Sequence, residues 1–168
     1  MALVNFVEYE DASPEVRAVY DDIMATRQVD WITNFWKALA SDPATLKRTW
    51  ESIKQVMTPG ALDGLTKELI YIAVSVTNSC DYCINSHTAS ARKAGMTDAM
   101  LAELIAVVGM ANETNRLVDG YQVEVEERIA RAAKQRDPAA TKPAAKGRAP
   151  KGRPRQAAAR RRSVRMRG

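Results

Sequence analysis

The two cysteines and the single histidine of this 168-residue chain lie within eight consecutive positions. Cys80 and Cys83 form a C-x-x-C pair, and His87 follows Cys83 by four residues. In a reducing compartment such a pair is more often catalytic or metal-binding than a structural crosslink. A thiol beside an imidazole suits nucleophilic or redox chemistry, because the histidine can accept or relay the thiol proton.

The segment from Cys80 to His87 is predicted to form the first turns of a helix. Positions i, i+3 and i+7 lie on one face of a helix, so all three side chains are expected on the same side. The N-terminus of a helix stabilises a thiolate, which is the reactive form of cysteine. This argument alone favours Cys80, the cysteine nearer the helix end, as the more acidic thiol.

Glu68 is a carboxylate on an otherwise apolar helix face, between Leu65 and Ile72. If helices over 63–78 and 81–94 form an antiparallel hairpin that turns near residue 79, Glu68 lies within one turn of His87. A carboxylate that orients an imidazole beside a thiol is a known arrangement for activating a nucleophile. The sequence therefore predicts a Glu68–His87–Cys83 proton relay, and the alternative is that Glu68 lies on the surface.

The elements that must position these residues are predicted to be helices throughout, which makes the fold class all-α. Apolar residues recur with helical spacing, caps and prolines mark the starts, and no strand-like alternation interrupts them. The helix over 63–78 is apolar around most of its circumference and is expected at the buried centre. The three tryptophans, Trp31, Trp36 and Trp50, are expected in the core or at a subunit interface, and the alternative is that they line a pocket for a peroxide or an organic substrate. The predicted helices begin at Pro14, Trp31, Pro43, residue 63, residue 81, residue 98 and Asn112, and the last of them ends near Arg131.

The net charge of +5 averages two oppositely charged parts. Residues 134–168 contain 13 Lys or Arg and one acid, whereas residues 1–133 contain 12 Lys or Arg and 19 acids. Because residues 134–168 offer almost no apolar side chain to a core, a disordered tail is predicted there, after a helical domain over 1–133. Such a basic tail could bind nucleic acid, and without aromatics for base stacking the binding would be non-specific and salt-dependent. The alternatives are a solvated extension with no dedicated partner and a tail that folds back on the acidic domain.

The N-terminal residues lack the basic segment of a signal peptide, so a cytoplasmic location is expected. No apolar run reaches the length of about 18 residues that a membrane span requires, so no membrane association is expected.

The pattern resembles the alkylhydroperoxidase D-like family of the carboxymuconolactone decarboxylase superfamily. The resemblance rests on Glu68, the Cys80-x-x-Cys83 pair and His87 at their spacing. It extends to the stretches Leu65-Thr-Lys-Glu-Leu-Ile-Tyr-Ile-Ala-Val-Ser-Val76 and Gly95-Met-Thr97, and covers about residues 30–125. It implies a compact multi-helix domain that assembles as a homo-oligomer, a trimer or a hexamer.

The resemblance also implies an oxidoreductase that reduces hydrogen peroxide or organic hydroperoxides without a bound cofactor or metal. Cys83 would be the peroxidatic thiol and Cys80 the resolving thiol, with Glu68 and His87 moving protons. A sulfenic acid on Cys83 would condense with Cys80 to a disulfide. A dithiol protein, of lipoyl or thioredoxin-like type, would then reduce it. The chain departs from the best-known peroxidases of the family at Tyr82, where they carry a second histidine.

Other functions remain open for the same residues. Cys80, Cys83, His87 and Glu68 could supply four ligands to zinc, although structural zinc sites usually draw ligands from two separated segments. The pair could serve a general thiol–disulfide oxidoreductase, or be two buried structural thiols. With the basic tail, the domain could be a nucleic-acid-associated redox sensor.

Overall fold

The computed structural model describes residues 2–135 of the chain. This part contains seven α-helices and no β-strand, which confirms the all-α prediction. The helices are α1 Pro14–Arg27, α2 Asn34–Leu39, α3 Pro43–Met57, α4 Gly64–Thr77, α5 Asp81–Lys93, α6 Asp98–Gly120 and α7 Glu127–Lys134. The predicted tail lies outside the described residues, apart from its first two positions.

Local caps begin most of these helices where the sequence predicts. Ser13 accepts a hydrogen bond from the Val16 amide before Pro14, and Asp42 accepts from the first turn of α3. These bonds satisfy amides that have no partner inside the helix. Helices α1 to α3 then bury one apolar cluster, whose members are Ala12, Val16, Val19, Tyr20, Ile23, Ile32, Trp36, Ala40, Leu46 and Trp50.

Helices α4 and α5 pack together as a hairpin with a three-residue connection, as predicted for a turn near residue 79. Ser79 has a φ of 55°, in the left-handed region, and the Cys80 amide donates to the carbonyl oxygen of Ser75 at 3.0 Å. The left-handed residue reverses the chain within one turn. The reversal sets α4 and α5 side by side and brings the middle of α4 to the middle of α5.

A second apolar cluster lies between α4, α5 and α6 and is centred on Ile72, Ala91 and Met96. The expectation that α4 lies at the buried centre is met on only one face of the helix, because Ile72 is buried whereas Ile70 and Val74 are about half exposed. Within residues 2–122, one face of α4 packs on α5 and α6 while Ile70 and Val74 face outward.

Helix α6 is longer than predicted. It runs without a break from Asp98 to Gly120, past the expected start of a separate helix at Asn112. No proline interrupts this stretch, and Gly109 is tolerated within it. By contacts, residues 1–122 form one compact unit and α7 belongs to a second unit that begins at Val123. No described helix is long and apolar enough to cross a membrane.

Candidate active site

The two cysteines lie at the start of α5 and are joined by a disulfide, with Cα atoms 5.4 Å apart. Cys80 is the N-cap residue, and its Sγ accepts a hydrogen bond from the Cys83 amide at 3.3 Å. Cys83 is in the first turn, and both residues are partly buried. The start of the helix thus places both sulfurs where its amides and dipole favour negative charge.

Glu68 of α4 and His87 of α5 meet across the hairpin. His87 Nδ1 lies 2.6 Å from Glu68 Oε2, and only 15% and 18% of the two side chains are exposed. An ionised carboxylate can only accept, so Nδ1 carries the proton in this pair. In the neutral imidazole, Nε2 is then the basic nitrogen, the one able to accept a further proton.

Tyr71 lies on the same helix as Glu68 and stacks on His87. The ring centroids are 3.6 Å apart and the planes are inclined by 18°. The imidazole is therefore held by an ionisable partner at its edge and an aromatic ring on its face. Such contacts restrict the rotation of the histidine and keep Nδ1 directed at Glu68.

Tyr82, between the cysteines, has a different role from a proton-transfer histidine. Its hydroxyl oxygen accepts a hydrogen bond from the Phe35 amide at 3.2 Å. Phe35 is in the first turn of α2, where the N-cap residue Thr33 makes no side-chain cap bond. Tyr82 therefore supplies an acceptor to the N-terminus of α2 and links that helix to the start of α5.

A cavity of about 890 Å³ opens beside the Glu68–His87 pair. Its walls come from α1 to α5 and from the segment between α1 and α2. All three tryptophans line it: Trp36 and Trp50 are buried, whereas Trp31 is 59% exposed. Trp31 is therefore outside the core of the single chain, and all three tryptophans take the pocket-lining position that is the alternative for them. Asp81 and Tyr82 line the end of the cavity at the disulfide, but neither cysteine lines it.

Arg27, at the end of α1, is the partly buried cation of this cavity. Its Cζ lies 5.6 Å from the ring centroids of both Trp36 and Trp50. Burial lowers the pKa of Arg27 from its ordinary value, and the negative charge of Glu68 opposes that shift. At neutral pH the guanidinium is still charged, because an arginine pKa lies far above 7.

The structure brings together Glu68 and His87 and places both cysteines on the helix of His87. Sequence reasoning missed Tyr71, although it stands in the family-like stretch, and it missed Arg27, whose position depends on how α1 packs. Among residues 2–135, no three His, Cys, Asp or Glu side chains are placed to hold a metal ion. The zinc alternative gains no support from this geometry.

Comparison with known proteins relates the chain to one family. Residues 43–123 match the carboxymuconolactone decarboxylase family. In a comparison of structures, the chain is similar to the alkylhydroperoxidase AhpD core from Rhodospirillum rubrum, with 53% sequence identity and a TM-score of 0.74. That match covers 77% of this chain and 98% of the other.

More distant relatives match in part. An uncharacterised protein from Cupriavidus necator is 30% identical over 84 residues, which are 50% of this chain and 74% of the relative. A protein of the cox locus of Paracoccus denitrificans is 43% identical over 54 residues, which are 32% of this chain and 49% of that protein. An alkyl hydroperoxide reductase from Mycobacterium tuberculosis is 26% identical over 118 residues, which are 68% of this chain and 34% of that protein.

The chain thus spans about half of the Paracoccus protein and a third of the Mycobacterium protein. The structural match covers nearly all of the Rhodospirillum domain at 53% identity, and this chain has two cysteines in a C-x-x-C pair, Cys80 and Cys83. The chain therefore belongs to the CxxC-containing alkylhydroperoxidase D-like branch of the carboxymuconolactone decarboxylase family.

Proposed function

We propose that this protein is a thiol peroxidase that reduces hydroperoxides through a Cys80/Cys83 dithiol–disulfide cycle. Family membership and the cysteine pair support a peroxidase-related function. The observation that carries the proposal is the Glu68–His87 hydrogen bond of 2.6 Å. His87 follows Cys83 by one turn of α5, and a partly buried acid–base pair at that distance along the helix is suited to deprotonating a thiol.

The proposed first step begins with both cysteines reduced. The Nε2 atom of His87 accepts the Cys83 thiol proton, while Glu68 stabilises the imidazolium through Nδ1. The thiolate attacks the terminal oxygen of the hydroperoxide, so that an S–O bond forms and the O–O bond breaks. The proton returns to the alkoxide that leaves, which departs as an alcohol. Cys83 is left as a sulfenic acid, oxidised by two electrons.

The second step closes the disulfide. The Cys80 sulfur attacks the Cys83 sulfur, an S–S bond forms, and water leaves with the Cys80 proton. The Cα separation of 5.4 Å lies in the range for a disulfide, so the pair needs no large movement of the backbone. An external dithiol protein, of lipoyl or thioredoxin-like type, then returns two electrons and two protons by thiol exchange.

The assignment of Cys83 as the attacking thiol follows the family. The structure also gives Cys80 a feature of an acidic thiol, since its sulfur accepts a hydrogen bond from the Cys83 amide.

Single-residue variants test which of the two cysteines attacks the hydroperoxide. In Cys80→Ser, Cys83 should form a sulfenic acid that dimedone labels, whereas Cys83→Ser should give neither label nor turnover. Full hydroperoxide turnover by Cys83→Ser would overturn the assignment.

The test of the function itself is consumption of hydrogen peroxide and cumene hydroperoxide with several dithiol donors. Peroxide should remove both free thiols of the reduced protein and yield an intramolecular disulfide by mass spectrometry. Unchanged thiols would overturn the redox proposal. Disulfide exchange with a dithiol donor, without any peroxide consumption, would identify a general thiol–disulfide oxidoreductase instead.

We further propose that the chain forms a homo-oligomer. Apolar side chains on α4 and α6 are largely exposed in the single chain, and such surfaces are usually covered by another subunit. They are Ile70, Val74, Ile105, Val107, Met110, Leu117 and Val118. Val74→Asp and Val107→Asp should shift the sedimentation coefficient toward that of the monomer, and an unchanged coefficient in both variants would contradict this interface.

A second candidate function rests on the charge of residues 134–168, which contain 13 Lys or Arg and one acid. Non-specific binding to nucleic acid depends on neutralised phosphates and needs no ordered surface. The segment could localise a redox domain to nucleic acid without taking part in its chemistry.

A further inference from the structure

The cavity beside Glu68 and His87 contains a cation whose charge has no carboxylate partner among residues 2–135. Lys54 of the same cavity binds Asp22 at 2.7 Å, and Glu68 binds His87. Arg27 is within ion-pair distance of neither carboxylate, nor of any other described one. The charge of Glu68 acts on Arg27 only at a distance, so a bound anion in direct contact would further offset the cost of partly burying the guanidinium.

The surroundings of Arg27 fix which kind of anion fits. Trp36 and Trp50 lie near the guanidinium at equal distances of 5.6 Å, and both are buried. Aromatic contacts leave the N–H groups at the edge of the guanidinium free to donate in its plane. This planar fork matches the two oxygens of a carboxylate. The two tryptophan rings, inclined to each other by 85°, limit the movement of the guanidinium before any ligand binds.

The rest of the cavity wall is suited to contact an apolar or aromatic part of a ligand. Trp31, Ile53 and Met57 line the cavity together with the two buried tryptophans. A volume of about 890 Å³ is in the range that holds a whole organic ligand. Hydrogen peroxide would occupy only a small part of it.

We infer that the cavity binds an organic carboxylate, with the carboxylate on Arg27 and the apolar body against the tryptophans. The preferred substrate is then an organic hydroperoxide that carries a carboxylate. This statement about the substrate rests on the proposed function. Arg27 precedes the stretch 43–123 that matches the family, so this specificity comes from α1.

Binding can be measured without any peroxide chemistry, because all three tryptophans of the chain line the cavity. The probes are 4-isopropylbenzoate and 4-isopropylbenzamide, which have nearly the same shape and differ in charge. Quenching of tryptophan fluorescence should show that the acid binds at least about tenfold more tightly than the amide, as expected for a charge-assisted hydrogen bond. Arg27→Gln should remove this preference and leave the affinity for the amide within about twofold.

Arg17→Gln is the matched control. Arg17 is on the same helix, lies 5.6 Å from the ring centroid of Tyr9, and does not line the cavity. This variant should keep the full preference for the acid. Arg27→Lys, which retains the charge and loses the planar fork, should keep only part of it.

Equal affinities of the native protein for acid and amide would overturn the inference, whether or not any variant folds. A folded Arg27→Gln protein that binds neither the acid nor the amide would also overturn the inference, because Arg27 would then only maintain the shape of the cavity. Turnover of cumene hydroperoxide, which has no carboxylate, tests the peroxidase function separately. Acid-selective binding without turnover of hydrogen peroxide, cumene hydroperoxide or 4-carboxycumene hydroperoxide would refute the peroxidase function and retain the carboxylate site.

Discussion

The imidazole of His87 is bound at its edge by Glu68, with Nδ1 2.6 Å from Oε2, across the α4–α5 hairpin. The contact links the two helices whose connection also ends at Cys80. The two cysteines, whose oxidation state changes in the proposed cycle, therefore lie one and two helical turns before the histidine. The tautomer that this contact selects leaves Nε2 as the nitrogen available to a thiol or a leaving group.

Replacing Glu68 by glutamine keeps the shape of the side chain and removes its charge. The variant can no longer stabilise a protonated His87, so peroxide turnover should fall by about a hundredfold, at the low end of what a positioned acid–base pair contributes. The pH dependence of turnover should also move. Steady-state kinetics from pH 5 to 9 measure both effects. Glu103→Gln, on the exposed side of α6, should behave like the native protein, and a Glu68→Gln enzyme with native rate and pH profile would contradict the relay.

Tyr71 should act on the reaction only by positioning His87. Tyr71→Phe keeps the stacked ring and should retain turnover, whereas Tyr71→Ala should lower it by about two- to tenfold, which corresponds to the strength of an aromatic pair. Because His87 is the one histidine of the chain, its imidazole signals can be assigned directly by NMR. The ring-current shift of these signals should persist in Tyr71→Phe and disappear in Tyr71→Ala. Equal shifts in both variants would contradict a positioning role.

Much of the fold is predictable because its determinants are local. Ser13 with Pro14, Asp42 with Pro43, and Thr97 each mark a helix start by residue type alone. Gly95, with a φ of 103°, follows the end of α5 as expected of a residue that ends a helix. The approach of Glu68 to His87 could be predicted because a short connection fixes the register of two neighbouring helices.

The features of the fold and of the site that local patterns do not predict depend on contacts between segments distant in sequence. No local pattern specifies that Arg27 lines the same cavity as His87, or that Trp31 is exposed there, because both positions depend on how α1 and the segment after it pack. The apolar residues of α4 do not by themselves distinguish a buried centre from a subunit interface, since both need the same composition. Composition therefore indicates a buried helix over 63–78 and does not reveal that Ile70 and Val74 are about half exposed.

Asp22 is predicted to make the free energy of unfolding depend on pH, through its hydrogen bonds to Trp50 and Lys54 in the wall of the cavity. It accepts hydrogen bonds from Lys54 at 2.7 Å and from Trp50 Nε1 at 2.6 Å, and the Lys54 bond is the main reason that its pKa is lowered from 3.8. A lowered pKa stabilises the fold above about pH 4, and this stabilisation is lost as the pH falls through the folded-state pKa. Asp22→Asn should therefore lower the free energy of unfolding at pH 7 by up to about 1 kcal/mol, because both side chains of the ion pair are partly exposed and solvent screens their charges.

Urea denaturation at several pH values measures this contribution. The difference between native protein and Asp22→Asn should be constant near neutrality and shrink below about pH 4. Asp30→Asn, an exposed carboxylate beyond the end of α1, should show no comparable loss. A difference that stays constant down to pH 2 would show that Asp22 stabilises the fold by packing and not by its charge.

The basic segment is predicted to bind nucleic acid by charge alone. Full-length protein should bind a random DNA duplex at low salt, and a chain ending at Gln135 should not, because residues 1–133 have seven more acids than bases and repel phosphates. The logarithm of the affinity should fall linearly with the logarithm of the salt concentration, with a slope of about −0.9 for each phosphate neutralised. Fluorescence anisotropy measures this slope, and Arg160→Gln, Arg161→Gln and Arg162→Gln together should make it shallower. Equal and negligible binding by both chains in low salt would exclude the nucleic-acid partner and leave the redox domain unaffected.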